Sequence, residues 1–164
     1  MKKVGIVMGS DSDLPVIRKA TALLNELEIP FEAHVYSAHR TPGQAREFFL
    51  HARENGFGVL IAAAGMAAHL AGAAAAATTL PVIGIPCTGT VFDGLDALLS
   101  TVQMPSGIPV ATVGVNNGAN AALLAAEILS VSDASLAQRL AEKRAADTKA
   151  VLEKDAGIAG RLAG

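Results

Sequence analysis

The chain has 164 residues, enough for one domain with a real core, and 51% of them are hydrophobic although only 4% are aromatic and none is Trp. A net charge of −2 with no block of like charge points away from nucleic acid and anionic membranes. The single cysteine, Cys87, excludes an internal disulfide and fits a reducing compartment, so the cytoplasm is the expected location.

Short apolar runs alternate with helical patterns along the chain. Residues 4–8 form a buried-strand run closed by Gly9, too short for the core of a signal peptide. Val16, Ile17, Ala20, Leu23, Leu24 and Leu27 then recur at helical spacing, with Ser12 or Asp13 as cap and Pro15 in the first turn. Residues 31–37 alternate as a second strand. Thr41 with Gln44 and Pro42 opens the next helix, which Asn55-Gly56 ends. Residues 58–64 are a third strand and 67–78 a helix. The alanine-rich stretch 62–77 is broken by Gly65, His69 and Gly72 and followed by Pro81, which argues against a membrane span. Residues 82–86 predict a fourth strand, 93–102 a helix, 109–115 a fifth strand and 120–129 a helix. Ser132 is the expected cap of a last helix reaching about residue 153.

Strands separated by helices imply right-handed crossovers and a parallel sheet covered on both faces. The expected architecture is a flavodoxin-like, doubly wound, three-layer α/β domain. It has a central five-stranded parallel sheet and an extra C-terminal helix suited to oligomer contacts. Residues 1–155 form one domain on this reading, and 156–164 a tail that frays.

Ligands of such sheets bind beyond the carboxyl ends of the strands, so the chemistry is sought there. Gly9-Ser10-Asp11-Ser12-Asp13 places a tight turn and two hydroxyls before a helix N-terminus, where free amides favour an anion. Neither GxGxxG nor GxxxxGK[ST] occurs, so one phosphate fits better than a pyrophosphate or a nucleoside triphosphate. Asp13 would repel that phosphate but can accept from sugar hydroxyls, which hints at a ribose phosphate. A plain capped turn reads equally well at this point. After the second strand, Arg40 offers a donor fork for phosphate, and His39 carries the residue type that exchanges protons near neutral pH. After the third, Gly65 and its alanines let a ligand lie close to the backbone, while His69 either lines a pocket or caps. His34, in a strand, and His51, in a helix, read as structural. No histidine pair has metal-ligand spacing, and one cysteine cannot build a zinc site, so no metal is expected. Cys87 reads as a small buried residue.

These segments together resemble the class I PurE family, the N5-carboxyaminoimidazole ribonucleotide mutases of purine biosynthesis. The resemblance runs through Met8-Gly9-Ser10 with Ser12-Asp13, residues 37–42, 65–70 and 80–86, Val102-Gln103-Met104-Pro105, residues 107–110 and 120–124. It implies that Ser10, Ser12, Asp13 and Arg40 hold the phosphate and ribose. It makes His39 the general acid/base and lines the pocket with Ser37, Ala38, Gly65 and His69. It also implies homo-octamers and a reaction without cofactor. Many relatives have glycine where Met66 stands and proline where Ala71 stands, and residues 87–92 depart from the family pattern.

Two other readings are weighed. Class II relatives are carboxylases using free CO2; they carry Lys where Arg40 stands and lack the Gly-Met-Ala-Ala-His-Leu type of segment. A non-catalytic flavodoxin-like module would be a receiver or a flavin carrier. A receiver needs an Asp where this chain has Ala62-Ala63-Ala64, and a flavin carrier needs stacking aromatics, whereas one Tyr and no Trp are present.

Overall fold

The computed structural model describes residues 1–67, 69–89 and 91–162. Ala68, inside the helix expected over 67–78, lies outside the described residues. So do Thr90, inside the stretch 87–92, and positions 163 and 164 of the expected tail.

Five strands are described: β1 (Lys3–Met8), β2 (Phe31–Val35), β3 (Phe57–Gly65), β4 (Val82–Cys87) and β5 (Ala111–Thr112). All pairings are parallel and the order is β2-β1-β3-β4-β5, the flavodoxin-like order. The helices are α1 (Leu14–Glu26), α2 (Pro42–His51), α3 (Leu70–Ala77), α4 (Leu95–Val102), α5 (Gly118–Ser130), α6 (Ala134–Ala156) and α7 (Ile158–Leu162).

Alternation along the strands sorts the core into two layers. Ile6, Ile61 and Ile83 stand in register and pack with Val4, Val59 and Ile85 against α1 and α5. Val7, Leu60, Ala62 and Val82 face the other way, onto Ala45 and Phe49 of α2 and Leu70 and Ala74 of α3. Both faces of the central strands are therefore dry, which explains their unbroken apolar runs. On the first face, α1 and α5 meet through Gly118, where a Cβ would fall 2.1 Å from the Val16 carbonyl oxygen. The small residues that stood out in the sequence are here a condition of close packing.

Three expectations are corrected. β5 spans two residues rather than the expected 109–115. Pro109 has no N–H to donate, and Asn116 turns left-handed at φ 57. The segment still tracks β4, with Val113 N–H donating to the Gly84 carbonyl at 3.1 Å and Asn116 N–H to Pro86 at 2.9 Å. The cap of α6 is Asp133, not Ser132: its Oδ1 accepts the Leu136 amide at 3.0 Å. The helix also runs past residue 153 to Ala156, and a short α7 follows over Ile158–Leu162 with no buried residue.

The root of α6 is fastened by Leu136 in the core and by Arg139 Nε donating to the Leu27 carbonyl at 3.0 Å. Arg144 Nη2 still reaches Glu127 Oε1 of α5 at 2.9 Å, and further along the helix Val151 and Leu152 are exposed.

Candidate active site

The carboxyl ends of β1 and β2 carry the polar side chains. After Met8 the chain turns through Gly9 into a 3-10 turn over Asp11–Asp13 that leads into α1. Ser10 caps this turn: Ser10 Oγ accepts the Ser12 amide at 3.3 Å, and Asp13 Oδ2 accepts the Ser10 amide at 3.2 Å, while Asp13 stands at the N-cap position of α1, as one of the two expected residues, without a side-chain bond to that helix. Asp13 is thereby drawn under the loop and is only 9% exposed. Burial pushes its carboxyl above the usual range, against the pull of the Ser10 amide and the Cys87 thiol. Ser12 and Asp11 stay exposed.

The turn after β2 is braced by two hydroxyls. Thr41 Oγ1 accepts the Ser37 amide at 2.8 Å and donates to the Ser37 carbonyl at 3.2 Å. Ser37 Oγ accepts the amides of His39 at 3.3 Å and Arg40 at 3.1 Å. Thr41 therefore holds the loop instead of capping α2 with its side chain, and the Ser37 hydroxyl braces the turn. The brace presents His39 and Arg40 to solvent with Ala38 half-buried behind them. Arg40 Nη2 donates to the Gly9 carbonyl at 2.8 Å, tying the β2 loop to the β1 loop across 31 residues of chain.

The ends of β3 and β4 differ in chemistry. A Cβ on Gly65 would fall 3.3 Å from the Cys87 carbonyl oxygen, so this glycine lets the two strand ends close up. His69 stands at the start of α3 with its ring laid on Gly72, where a Cβ would come within 2.4 Å of Cε1. Ala71-Gly72 after the histidine was the legible signal for this seat. Cys87 is buried; burial and the neighbouring Asp13 carboxylate push its thiol up to about 12, so it remains an S–H that faces Asp13. Sequence reasoning missed that contact, and also the Thr88–Asn116 clamp. Thr88 N–H donates to Asn116 Oδ1 and Asn116 Nδ2 to Thr88 Oγ1, both at 3.0 Å. Only the left-handed turn at Asn116 brings that amide back to the β4 loop.

The structure thus brings Ser10, Ser12, Asp13, Ser37, Ala38, His39, Arg40, Gly65 and His69 to one edge of the sheet. His34 and His51 lie elsewhere. His34 stacks on Tyr36 at 4.8 Å between ring centres and meets Glu32 at 2.9 Å. His51 pairs with Glu54 at 3.0 Å and Glu47 at 3.4 Å, and Glu54 raises its pKa. Both line a cavity of about 580 Å³ between β2 and α2, away from the strand ends. Its carboxylates already have basic partners. No helix among the described residues is long and apolar enough to cross a membrane.

Comparison with known proteins bears on this edge. The family model for AIR carboxylase matches residues 3–150. The chain belongs to the AIR carboxylase family. Among similar members, the N5-carboxyaminoimidazole ribonucleotide mutase of Pyrococcus abyssi is 54% identical over 144 residues, covering 88% of this chain and 83% of that protein. The mutase of the same name from Thermotoga maritima is 49% identical over 154 residues, covering 94% and 90%. In three dimensions the chain is similar to the crystal structure of Treponema denticola PurE, with a TM-score of 0.82 and 29% identity over 93% of this chain and 96% of that one. The phosphoribosylaminoimidazole carboxylase of Saccharomyces cerevisiae is 52% identical over 137 residues, but this chain covers only 24% of that protein, whereas it spans most of the length of the two mutases.

Proposed function

We propose that this protein is an isomerase of purine biosynthesis, converting N5-carboxyaminoimidazole ribonucleotide to 4-carboxy-5-aminoimidazole ribonucleotide. The observation that carries the reading is the Arg40–Gly9 hydrogen bond. It supports one composite site from the anion loop and the His39 turn, in a chain about half identical to named mutases.

In that site the phosphate takes the hydroxyls of Ser10 and Ser12 and the remaining donors of Arg40, the two serine amides being held within the loop. Asp13 has acceptor capacity beyond the Ser10 amide and the Cys87 thiol and takes ribose hydroxyls. His39 gives a proton to the exocyclic nitrogen of the carbamate. The N–C bond breaks, its electron pair stays on nitrogen, and CO2 is released within the site. The electron-rich ring carbon then forms a bond to that CO2, and the proton on this carbon passes to His39, restoring the starting state. Ser37 and Thr41 fix the turn that aims His39, while Ala38, Gly65 and His69 bound the base. No cofactor is required by this proton balance.

Residues 1–155 serve as one catalytic unit. Exposed Leu95, Leu99 and Val102 on α4, with Val151 and Leu152 on α6, support assembly into a homo-oligomer, with the octamer as the expected form. The cytoplasm, where purine precursors are made, is the proposed location.

The test is to follow conversion of N5-carboxyaminoimidazole ribonucleotide without ATP or bicarbonate. Stoichiometric formation of the carbon-carboxylated isomer is expected. Conversion of aminoimidazole ribonucleotide only when bicarbonate is supplied would move the protein to the carboxylase reading, and no conversion of either would overturn the proposal.

A further inference from the structure

Two polar side chains are buried among the described residues, Asp13 and Thr101. Thr101 is satisfied within its own helix, donating to the Ala97 carbonyl at 2.7 Å. Asp13 is different. It is a carboxylate drawn inside with one backbone donor, the Ser10 amide at 3.2 Å. A buried carboxylate needs more than one long bond to offset its lost hydration.

The second donor comes from the far side of the sheet. Ile83, Ile85 and Cys87 alternate along β4 onto the face covered by α1 and α5, so Cys87 ends that row beside the start of α1. There its thiol meets the Asp13 carboxylate. The backbone of Cys87 is pinned on both sides by one residue. Asn116 donates its own N–H to the Pro86 carbonyl at 2.9 Å, and its side chain takes the Thr88 amide and hydroxyl, both at 3.0 Å. Gly65, the partner of Cys87 in β3, closes the third side, since a Cβ there would fall 3.3 Å from the Cys87 carbonyl oxygen. The thiol itself is buried and has two acceptors in reach, the Ile85 carbonyl at 3.7 Å and the Asp13 carboxylate. An anionic acceptor makes the stronger bond.

One donor leaves a carboxylate free to turn about its Cβ–Cγ bond, whereas two donors from separate elements fix it. We propose that Cys87 is a positioning residue for sugar recognition: its pinned thiol donates to Asp13 and, with the Ser10 amide, holds the carboxylate in the orientation that takes ribose hydroxyls. This rests on the mutase reading above, which puts Asp13 on the ribose. Cys87 touches no substrate and moves no proton. Residues 87–92 depart from the family pattern, so the thiol is a refinement of this chain and not a requirement of the reaction.

The experiment uses calorimetry on the full-length protein with 4-carboxy-5-aminoimidazole ribonucleotide, and with inorganic phosphate as its competitor. Cys87→Ala and Cys87→Val, which have no donor, weaken nucleotide binding about 3- to 10-fold and leave phosphate binding unchanged. Cys87→Ser, which keeps a donor, stays near wild type. In an Asp13→Ala background, Cys87→Ala has no further effect. An unchanged nucleotide Kd in the two donorless variants overturns the proposal, and so does a serine variant as weak as the alanine one. Equal weakening of nucleotide and phosphate, or a loss that persists without Asp13, marks a merely structural role and overturns it too. Wild type that binds phosphate but not the nucleotide sinks the mutase reading itself, a result distinct from all of these.

Discussion

The two halves of the sheet's carboxyl edge solve different problems with different residues. After β1 and β2 the loops are dense in hydroxyls and charges, and these bond to one another: Ser10 with Ser12 and Asp13, Ser37 with His39 and Arg40, Arg40 with Gly9. After β3 and β4 the loops are built from small and apolar residues, and their order comes from backbone proximity at Gly65 and Gly89 and from the Thr88–Asn116 clamp. The first half is equipped to hold charge and move a proton. The second offers mainly small side chains and close backbone, with His69 at the start of α3 and the Thr88–Asn116 pair as its polar groups.

The sharpest way to break this comparison is at His39. His39→Asn leaves the braced turn intact, because its backbone amide carries the bond to Ser37, and turnover falls by about 10²–10⁴-fold with the circular dichroism spectrum unchanged. Retained turnover would move proton transfer out of the polar half. Next in size, Arg40→Ala removes both the tie to Gly9 and a charged phosphate ligand. Substrate affinity, read by calorimetry or KM, weakens about 10- to 100-fold.

A smaller effect is expected in the ligand-free protein at Asp13. Its carboxyl is raised by burial, so the folded state gains from protonation and loses stability as pH rises through the folded pKa. Asp13→Asn keeps an acceptor for the Ser10 amide without the charge. Urea melts should show the variant gaining on wild type near neutral pH, with the gap closing as pH falls toward the unfolded value of 3.8. A gap that widens in acid would refute the burial argument. The smallest effect belongs to the apolar half. With its thiol pushed up to about 12 and buried, Cys87 should take no iodoacetamide in the native protein at pH 8 and react fully once unfolded in urea. Rapid native alkylation would show that half to be open to water.

Most of the architecture was legible in the sequence because helical and strand periodicities alternate without ambiguity, and the strand ends carry the special residues. What escaped is instructive. β5 reads as seven residues on hydropathy, but regular pairing with β4 holds only over Ala111–Thr112, with isolated bonds from Val113 and Asn116 beyond it, and Pro109 has no N–H to give. The loop of residues 9–13 was legible as a turn before a helix, yet which hydroxyl caps it was not. Ser10, Ser12 and Asp13 are all capping types, and only three-dimensional geometry shows that Ser10 caps an intervening 3-10 turn while Asp13 takes the N-cap position of α1 with its side chain turned back to the Ser10 amide. Thr41 does stand at the N-cap position of α2, but its hydroxyl braces the loop at Ser37 instead of bonding to the helix, which the sequence does not show. The Cys87–Asp13 and Thr88–Asn116 contacts join segments far apart in the chain and leave no local pattern to read.

One bond in the ligand-free protein has a thermodynamic consequence. An exposed arginine ordinarily samples many rotamers, and freezing one such side chain on binding costs about 0.5–1.5 kcal/mol. Arg40 is already held through Nη2 on the Gly9 carbonyl, with the other donors of its guanidinium unassigned to any described partner. Much of that entropy is surrendered during folding rather than at the encounter with substrate. Calorimetry on the intact protein should accordingly find phosphate-end binding less entropically opposed than for an arginine left free to swing.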